Sequence, residues 1–255
     1  MTEDEWQVWT NSIPQNPKHI TITGGEPFLA YEYIHEALKT INEEYPETEV
    51  LILTNGRILS IQRIFDLFAP LFTDKYCIAV PVHGPTEELH DAITQSPGSF
   101  KQTMKALHLL STTSVKIEAR IVGHRNNLAV LSDTFKMLAR TGARIEVINL
   151  IAMEMTGSAG RHRDELWVDY KDVCHASHEG ILYAILHGFN VGLYNFPLCT
   201  VPQSMWPLVK DSITPYKVRY PDTCNLCSLK HACGGLFYST YELRLCKTMP
   251  FIEEK

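Results

Sequence analysis

Apolar and polar positions along this chain repeat a strand-then-helix rhythm. Ile20 and Ile22 alternate with Thr21 and Thr23, the period of two that a half-buried strand needs, and the stretch runs straight into Gly24-Gly25-Glu26-Pro27. Ile34, Leu38, Ile41 and Tyr45 then mark one face of a helix, and EVLILTNG reads as a strand ending in Thr54-Asn55-Gly56. Ile61, Ile64, Phe65 and Phe68 mark the next helix, and YCIAVPVHG is a further strand ending at His83-Gly84. Ser99 and Gln102 have capping-box spacing ahead of a helix carrying Phe100, Met104, Leu107 and Leu110. VKIEARIV follows as a strand, residues 128–141 as a helix, RIEVINLI as a strand, residues 170–186 as a helix and NVGLY as a last strand. Strands alternating with helices of this length predict βαβ units and a parallel sheet, hence an α/β fold. From Asn195 onward Pro, Cys and Trp are frequent and the periodicity stops. Residues 1–194 therefore read as the main domain and 195–255 as a small appended one.

Two stretches carry chemistry of their own. In VKIEARIV, Val115, Ile117, Ala119 and Ile121 face one way while Lys116, Glu118 and Arg120 face the other. Parallel sheets are usually covered on both faces, so the charged row points to a polar barrel interior; an edge strand with one wet face would give the same pattern. At the end of the first strand, Gly24 and Gly25 remove side chains so that a ligand can lie against bare backbone. Pro27 fixes φ as the chain turns toward a helix, and Glu26 places a carboxylate beside the gap. Ligands of α/β proteins bind at the carboxyl ends of parallel strands, where this turn sits. By themselves the four residues also suit a plain strand-to-helix turn.

The 255 residues are 45% hydrophobic and 20% charged, enough for a sizeable core, and the net charge of −6 argues against nucleic-acid binding. No apolar run approaches the roughly 20 residues of a membrane span. Seven cysteines without a secretory signal point to a cytoplasmic, reducing setting, where clustered thiols more often bind metal than form disulfides.

With these residues on the page the chain resembles the radical S-adenosylmethionine (SAM) superfamily over nearly its whole length. GGEP resembles the turn with which those enzymes hold the ammonium of SAM. Thr54-Asn55-Gly56 resembles the end of the family's third strand, and PVHGPTEELHDAITQSPGSFKQTMKAL its fourth strand and following helix. AMEMTGSAGRHRDELWVDY, LYNFPLCTVPQSMWP and CNLCSLKHACGGLF together resemble one subgroup, the His-Xaa-Ser system maturases (HxsC). The resemblance implies a partial (β/α) barrel of strands two to six. It implies that Gly24, Gly25, Glu26 and Pro27 hold the SAM amino group, and Asn55 and Arg120 its ribose and carboxylate region. It also implies a precursor peptide with His-Xaa-Ser repeats as substrate, a companion radical SAM maturase, and an electron donor such as a flavodoxin or ferredoxin. One departure stands out. The family's Cys-x3-Cys-x2-Cys loop, which holds the SAM-binding [4Fe-4S] cluster, occurs nowhere in the sequence. The expectation is an N-terminally incomplete enzyme, inactive as it stands; the alternative is a remnant that has lost that cluster.

Cys224, Cys227 and Cys233 form C-x2-C-x5-C, followed at once by Gly234-Gly235. A tight turn presents close cysteines to one metal centre, and glycines after the last ligand leave amides to hydrogen-bond the sulfurs. Cys199 is the expected fourth ligand of an auxiliary [4Fe-4S] cluster, with Cys246 in reserve; the rival is structural zinc with Cys199 or His231 fourth. Cys77 and Cys174 read as core fillers. His83 and Glu154 could each face substrate, or be ordinary loop residues; His162, His175 and His178 have no ligand-like partner. The reading that emerges is a radical SAM peptide maturase. Its rival is a non-catalytic, zinc- or cluster-bearing peptide-binding module that supports a companion enzyme.

Overall fold

The computed structural model describes residue 8 and residues 12–252. The predicted strands form at β1 (His19–Ile22), β2 (Glu49–Leu53), β3 (Tyr76–Pro81), β4 (Lys116–Val122), β5 (Val147–Ile151) and β6 (Asn190–Tyr194). A short β7 (Val209–Lys210), beyond the last strand legible in the sequence, continues the order, so the seven follow one another in chain order. The registers are parallel, as with Ile22 opposite Ile52, Ile52 opposite Ile78, and Asn149 opposite Gly192. Helices α1 (Tyr31–Glu44), α2 (Gln62–Phe68), α3 (Glu87–Thr94), α4 (Ser99–Leu110), α5 (Leu131–Arg140) and α6 (Tyr170–Leu186) intervene.

Two compact units divide the chain. The first takes residues up to Val82, Thr86–Ala119 and Thr141–Glu146. Its core joins Phe28, Leu38, Ile41, Ile52, Phe68 and Ile78, all buried, with Phe28 and Phe68 meeting edge to face at 5.0 Å. Tyr76 is fully buried and donates to Asn42 Oδ1 at 2.7 Å, so its hydroxyl is not left unpaired. Two local expectations fail here. Ile61 is exposed, being the N-cap of α2 rather than part of its buried face. Ser99 and Gln102 form no capping box: Asp91 of α3 accepts from the Ser99 hydroxyl and the amides of Gly98 and Phe100, and Gln102 turns to Arg57. A carboxylate from the preceding helix competes better for those amides than a neutral hydroxyl.

The second unit takes His83–Pro85, Arg120–Arg140 and the chain from Val147. Its α5 and α6 pack closely because position 180 is glycine. A Cβ there would stand 2.5 Å from Ser132 Cα and O, while the Gly180 amide donates to Ser132 Oγ at 3.0 Å. Gly180→Ala is therefore expected to destabilise by about 1–3 kcal/mol, from overpacking against backbone that cannot yield. Thermal melting checks this; an unchanged melting temperature would show that the helices slide apart freely.

Candidate functional site

Chemistry-bearing residues gather at one place in each unit. In the first unit, the turn after β1 stands beside the turn after β2. Thr23, Gly24 and Gly25 are exposed, and a Cβ built on Gly24 or Gly25 meets nothing within 4 Å. Gly24 has φ +154°, which favours glycine. The platform is thus open and bare, as the sequence predicts. The Glu26 carboxylate, beside the gap, is engaged on both oxygens by its neighbours. Oε1 accepts from the Thr54 hydroxyl at 2.6 Å and from the Phe28 amide at 3.2 Å, and Oε2 from the Asn55 amide at 2.7 Å. Three charge-assisted bonds make Glu26 a brace that fixes the diglycine against the second turn. Pro27 and Phe28 are buried beneath it.

Asn55 is brought to this place, but as a turn former. Its Oδ1 accepts from the Arg57 amide at 2.9 Å and its carbonyl from Thr103 at 3.2 Å. Gly56 at φ +75° closes the turn, with Ala106 Cβ only 3.2 Å from where its own Cβ would be. Thr54, the anchor of the brace, was not singled out from the sequence; its signal was the hydroxyl at a strand's end next to Asn-Gly.

Glu118 is buried on the polar face of β4 and accepts from the Cys77 thiol at 3.9 Å. Cys77 is only half-buried, so it belongs to that polar face rather than to the apolar core. Cys174 is fully buried as expected, and burial pushes its thiol up to about 12.

Arg120 lies on β4 in the second unit, half-buried. Nearby, His124 is buried: its amide donates to Asn127 Oδ1 at 2.9 Å, and its Nδ1 accepts from the Asn126 amide at 3.3 Å. The neutral ring therefore carries its proton on Nε2. Burial, and then the neighbouring His83, lower His124 to about 4; burial lowers His83 as well. Protonation of such a group favours the unfolded chain, whose histidine titrates near 6.5. Stability should therefore be full above pH ~6.5 and fall by up to ~1.4 kcal/mol per pH unit as pH drops toward 4. Urea titrations across that range check this. His124→Asn, which keeps an acceptor near the Asn126 amide, should flatten the slope; an unchanged slope would exclude His124 as its source.

The second gathering is a small pocket in the second unit, with a free volume of about 20 Å³. It is lined by Cys199, Cys224, Cys227 and Cys233 among Leu198, Leu229, Leu236, Met249 and Phe251. The antiparallel pair β8 (Val218–Arg219) and β9 (Leu236–Phe237) frames it, and Tyr220 ties the loop by donating to the Cys233 carbonyl at 2.6 Å. Every sulfur has a donor. Leu198 N–H reaches Cys233 Sγ and Phe251 N–H reaches Cys227 Sγ, each at 3.4 Å. The Met249 backbone bonds Cys199, and the hydroxyls of Thr248 and Thr223 bond Cys224. Burial raises the Cys199 and Cys224 thiols, as does the charge of Cys233 beside each. His231 is exposed and does not line the pocket, whereas Cys199 does. Cys246 lines a neighbouring groove with Asp222, Tyr241 and Arg244, and burial raises its thiol. Among the described residues no three His, Cys, Asp or Glu are drawn together as one metal ion requires. Glu154 is half-buried and 3.7 Å from Lys217, while His162 and His175 are exposed.

The model of the family described as Radical SAM superfamily matches residues 8–138. The AdoMet-dependent heme synthase of Oleidesulfovibrio alaskensis is 32% identical over 147 residues, 56% of this chain and 36% of that protein. The antilisterial bacteriocin subtilosin biosynthesis protein AlbA of Bacillus subtilis is 25% identical over 143 residues, 56% of this chain and 30% of that protein. The chain thus spans well under half the length of these curated relatives. Among solved structures, Streptococcus suis SuiB bound to precursor peptide SuiA superposes with a TM-score of 0.55 at 14% identity, over 69% of this chain and 38% of that one. A domain of pyruvate-formate lyase-activating enzyme from Bacteroides vulgatus gives 0.52 at 16% identity, over 68% and 97%. These likenesses show the fold, a partial barrel of parallel strands with surrounding helices.

Proposed function

The chain belongs to the radical SAM superfamily, and on that premise we propose that it is the barrel and auxiliary-cluster portion of an enzyme that modifies a ribosomally made peptide. The observation that carries this reading is the pocket that four cysteines line, each sulfur with a hydrogen-bond donor. The donor set fits a [4Fe-4S] cluster. Thiolates on one zinc crowd to within about 4 Å, given Zn–S distances of about 2.3 Å, whereas a four-iron cluster stands between its ligands and holds them further apart. Residues 195–255 would then be the domain that carries it. The diglycine platform fits SAM: it is exposed, lacks side chains and sits at the carboxyl end of β1. SAM, reduced by a cluster, supplies a 5′-deoxyadenosyl radical that takes a hydrogen atom from substrate. Gly24 and Gly25 would present backbone to its amino group, with Glu26 and Pro27 keeping that backbone in place; the roles of Asn55 and Arg120 toward the ribose and carboxylate rest on the family resemblance alone. Peptide chemistry is supported by AlbA, a bacteriocin biosynthesis protein, and by SuiB, which is seen bound to a precursor peptide. The His-Xaa-Ser repeat type, the companion maturase and the flavodoxin- or ferredoxin-like donor rest on the subgroup resemblance.

The test is co-expression of a His-Xaa-Ser precursor with a chain extended N-terminally by a Cys-x3-Cys-x2-Cys strand. A mass change in the precursor that vanishes with Cys224→Ser is expected; an unaltered precursor would sink the peptide reading. Gly25→Val probes the platform. Its side chain enters open space, so folding should be unaffected, while SAM affinity in the extended chain should drop at least about tenfold, or ~1.4 kcal/mol. A folded variant with wild-type affinity would remove the platform from the site.

A further inference from the structure

On the face of β5, β6 and β7 that carries Asn149 lies an open cleft, lined by residues of neither place described above, with a volume of about 370 Å³. The registers set its side chains in cross-strand rows. Val147 stands opposite Asn190, Asn149 opposite Gly192, and Ile151 opposite Tyr194, which in turn faces Lys210. Pro207, Leu208, Ile185 and Phe189 close the sides.

One group in this cleft is unexplained by the fold. Asn149 is 2% exposed, and its Oδ1 has no hydrogen-bond partner among the described residues. Leaving a buried amide oxygen unpaired costs free energy that Leu or Val at this position would avoid. Gly192 holds the arrangement: a Cβ there would lie 2.4 Å from Asn149 Oδ1 and 3.0 Å from the Tyr194 ring. The amide therefore rests over the neighbouring strand in space that only glycine leaves free. Asn149 lines a cleft roomy enough for a ligand, and a turn of its side chain would bring the buried, unpaired acceptor to a donor there.

Asn190, Asn149 and Lys210 fall in successive rows but on β6, β5 and β7, so the backbones of Asn149 and Lys210 stand about 6.6 Å apart along the strands and about 10 Å across them, roughly 12 Å in all. An extended peptide that crosses the strands obliquely covers that separation in about three to four residues. We propose that this cleft is a subsite for an extended segment of the substrate peptide, with one peptide N–H donating to Asn149 Oδ1 and the Lys210 ammonium bonding a peptide carbonyl about three to four residues along. The proposal rests on the peptide-modifying reading and adds to it where the chain is held, away from the diglycine turn and the thiol pocket. Recognition is by backbone at the centre, with Val147, Phe189, Pro207 and Leu208 as apolar walls for the side chains.

The probe is a fluorescein-labelled nonapeptide of three His-Ala-Ser repeats, titrated by anisotropy into the full chain after reconstitution with iron and sulfide. Asn149→Leu and Lys210→Met should each weaken binding at least about fivefold. Asn149→Leu should at the same time raise the melting temperature, because it removes an unpaired acceptor; a purely structural amide would do the reverse. N-methylating the peptide one residue at a time should reveal a position that weakens binding to wild type and has no effect on Asn149→Leu. Should Asn149→Leu fail to fold, Lys210→Met at the exposed strand end and the N-methyl series on wild type still decide. Binding insensitive to both, or absent in wild type, overturns the subsite. Modification of the precursor, read separately by mass, would in that case leave the peptide reading standing.

Discussion

Changing Cys224 or Cys227 to serine should leave the chain without bound iron and sulfide while its sheet stays folded. Anaerobic reconstitution of the wild type should give broad absorption near ~400 nm and about four irons per chain; either serine variant should give almost none. The size of the effect follows from the pocket. Cys199, Cys224, Cys227 and Cys233 supply its only thiols among the lining residues, and the walls between them are apolar. A cluster that loses one ligand there has no carboxylate or imidazole in the lining to replace it. Each sulfur is also served by an N–H or O–H donor, three of them from the Thr248–Phe251 segment. Such donors stabilise thiolate charge and raise a cluster's potential. Cys77→Ser should leave the cluster intact, since Cys77 pairs with Glu118 in the other unit. Stoichiometric zinc with no iron, in protein from iron-replete cells, would overturn the assignment.

The alternation of strands and helices was legible because period-two and period-3.6 patterns are written locally. Residues 170–186 and NVGLY were located to the residue. The failures were places where a distant group won. Asp91 displaced the Ser99 capping box, and β7 is only two residues long, too short to show a period. The same contrast governs the candidate sites. Spacing alone pointed to C-x2-C-x5-C and to a diglycine at a strand's end, and the structure gives both a built environment. What spacing could not show is who holds them. Glu26 reads as a ligand carboxylate until Thr54 and Asn55, 28 and 29 residues on, are seen to engage both its oxygens. Asn149 reads as an ordinary strand residue until Gly192 is found opposite.

No 5′-deoxyadenosine is expected from these 255 residues under strong reductant, even with the C-terminal cluster fully loaded. SAM cleavage needs an iron with an open coordination position for the amino and carboxylate groups. A Cys-x3-Cys-x2-Cys loop leaves one iron open, but that spacing is absent from the sequence. The C-terminal pocket offers four thiols, one for every iron, so a cluster there is closed. Cys246 does not change this, because it lines the adjacent groove and not the pocket. The diglycine platform by itself offers only backbone, which positions SAM without supplying an electron. Extending the chain at its N-terminus by a strand that ends in Cys-x3-Cys-x2-Cys should therefore switch cleavage on from an undetectable level. β1 is an end strand in the order, only four residues long, with His19 and Thr21 exposed along it. An added strand would pair its open edge and should also raise solubility. Deoxyadenosine from the 255 residues at a rate comparable to the extended chain would mean that another set of thiols holds an open iron. Cys246 is then a candidate member of that set.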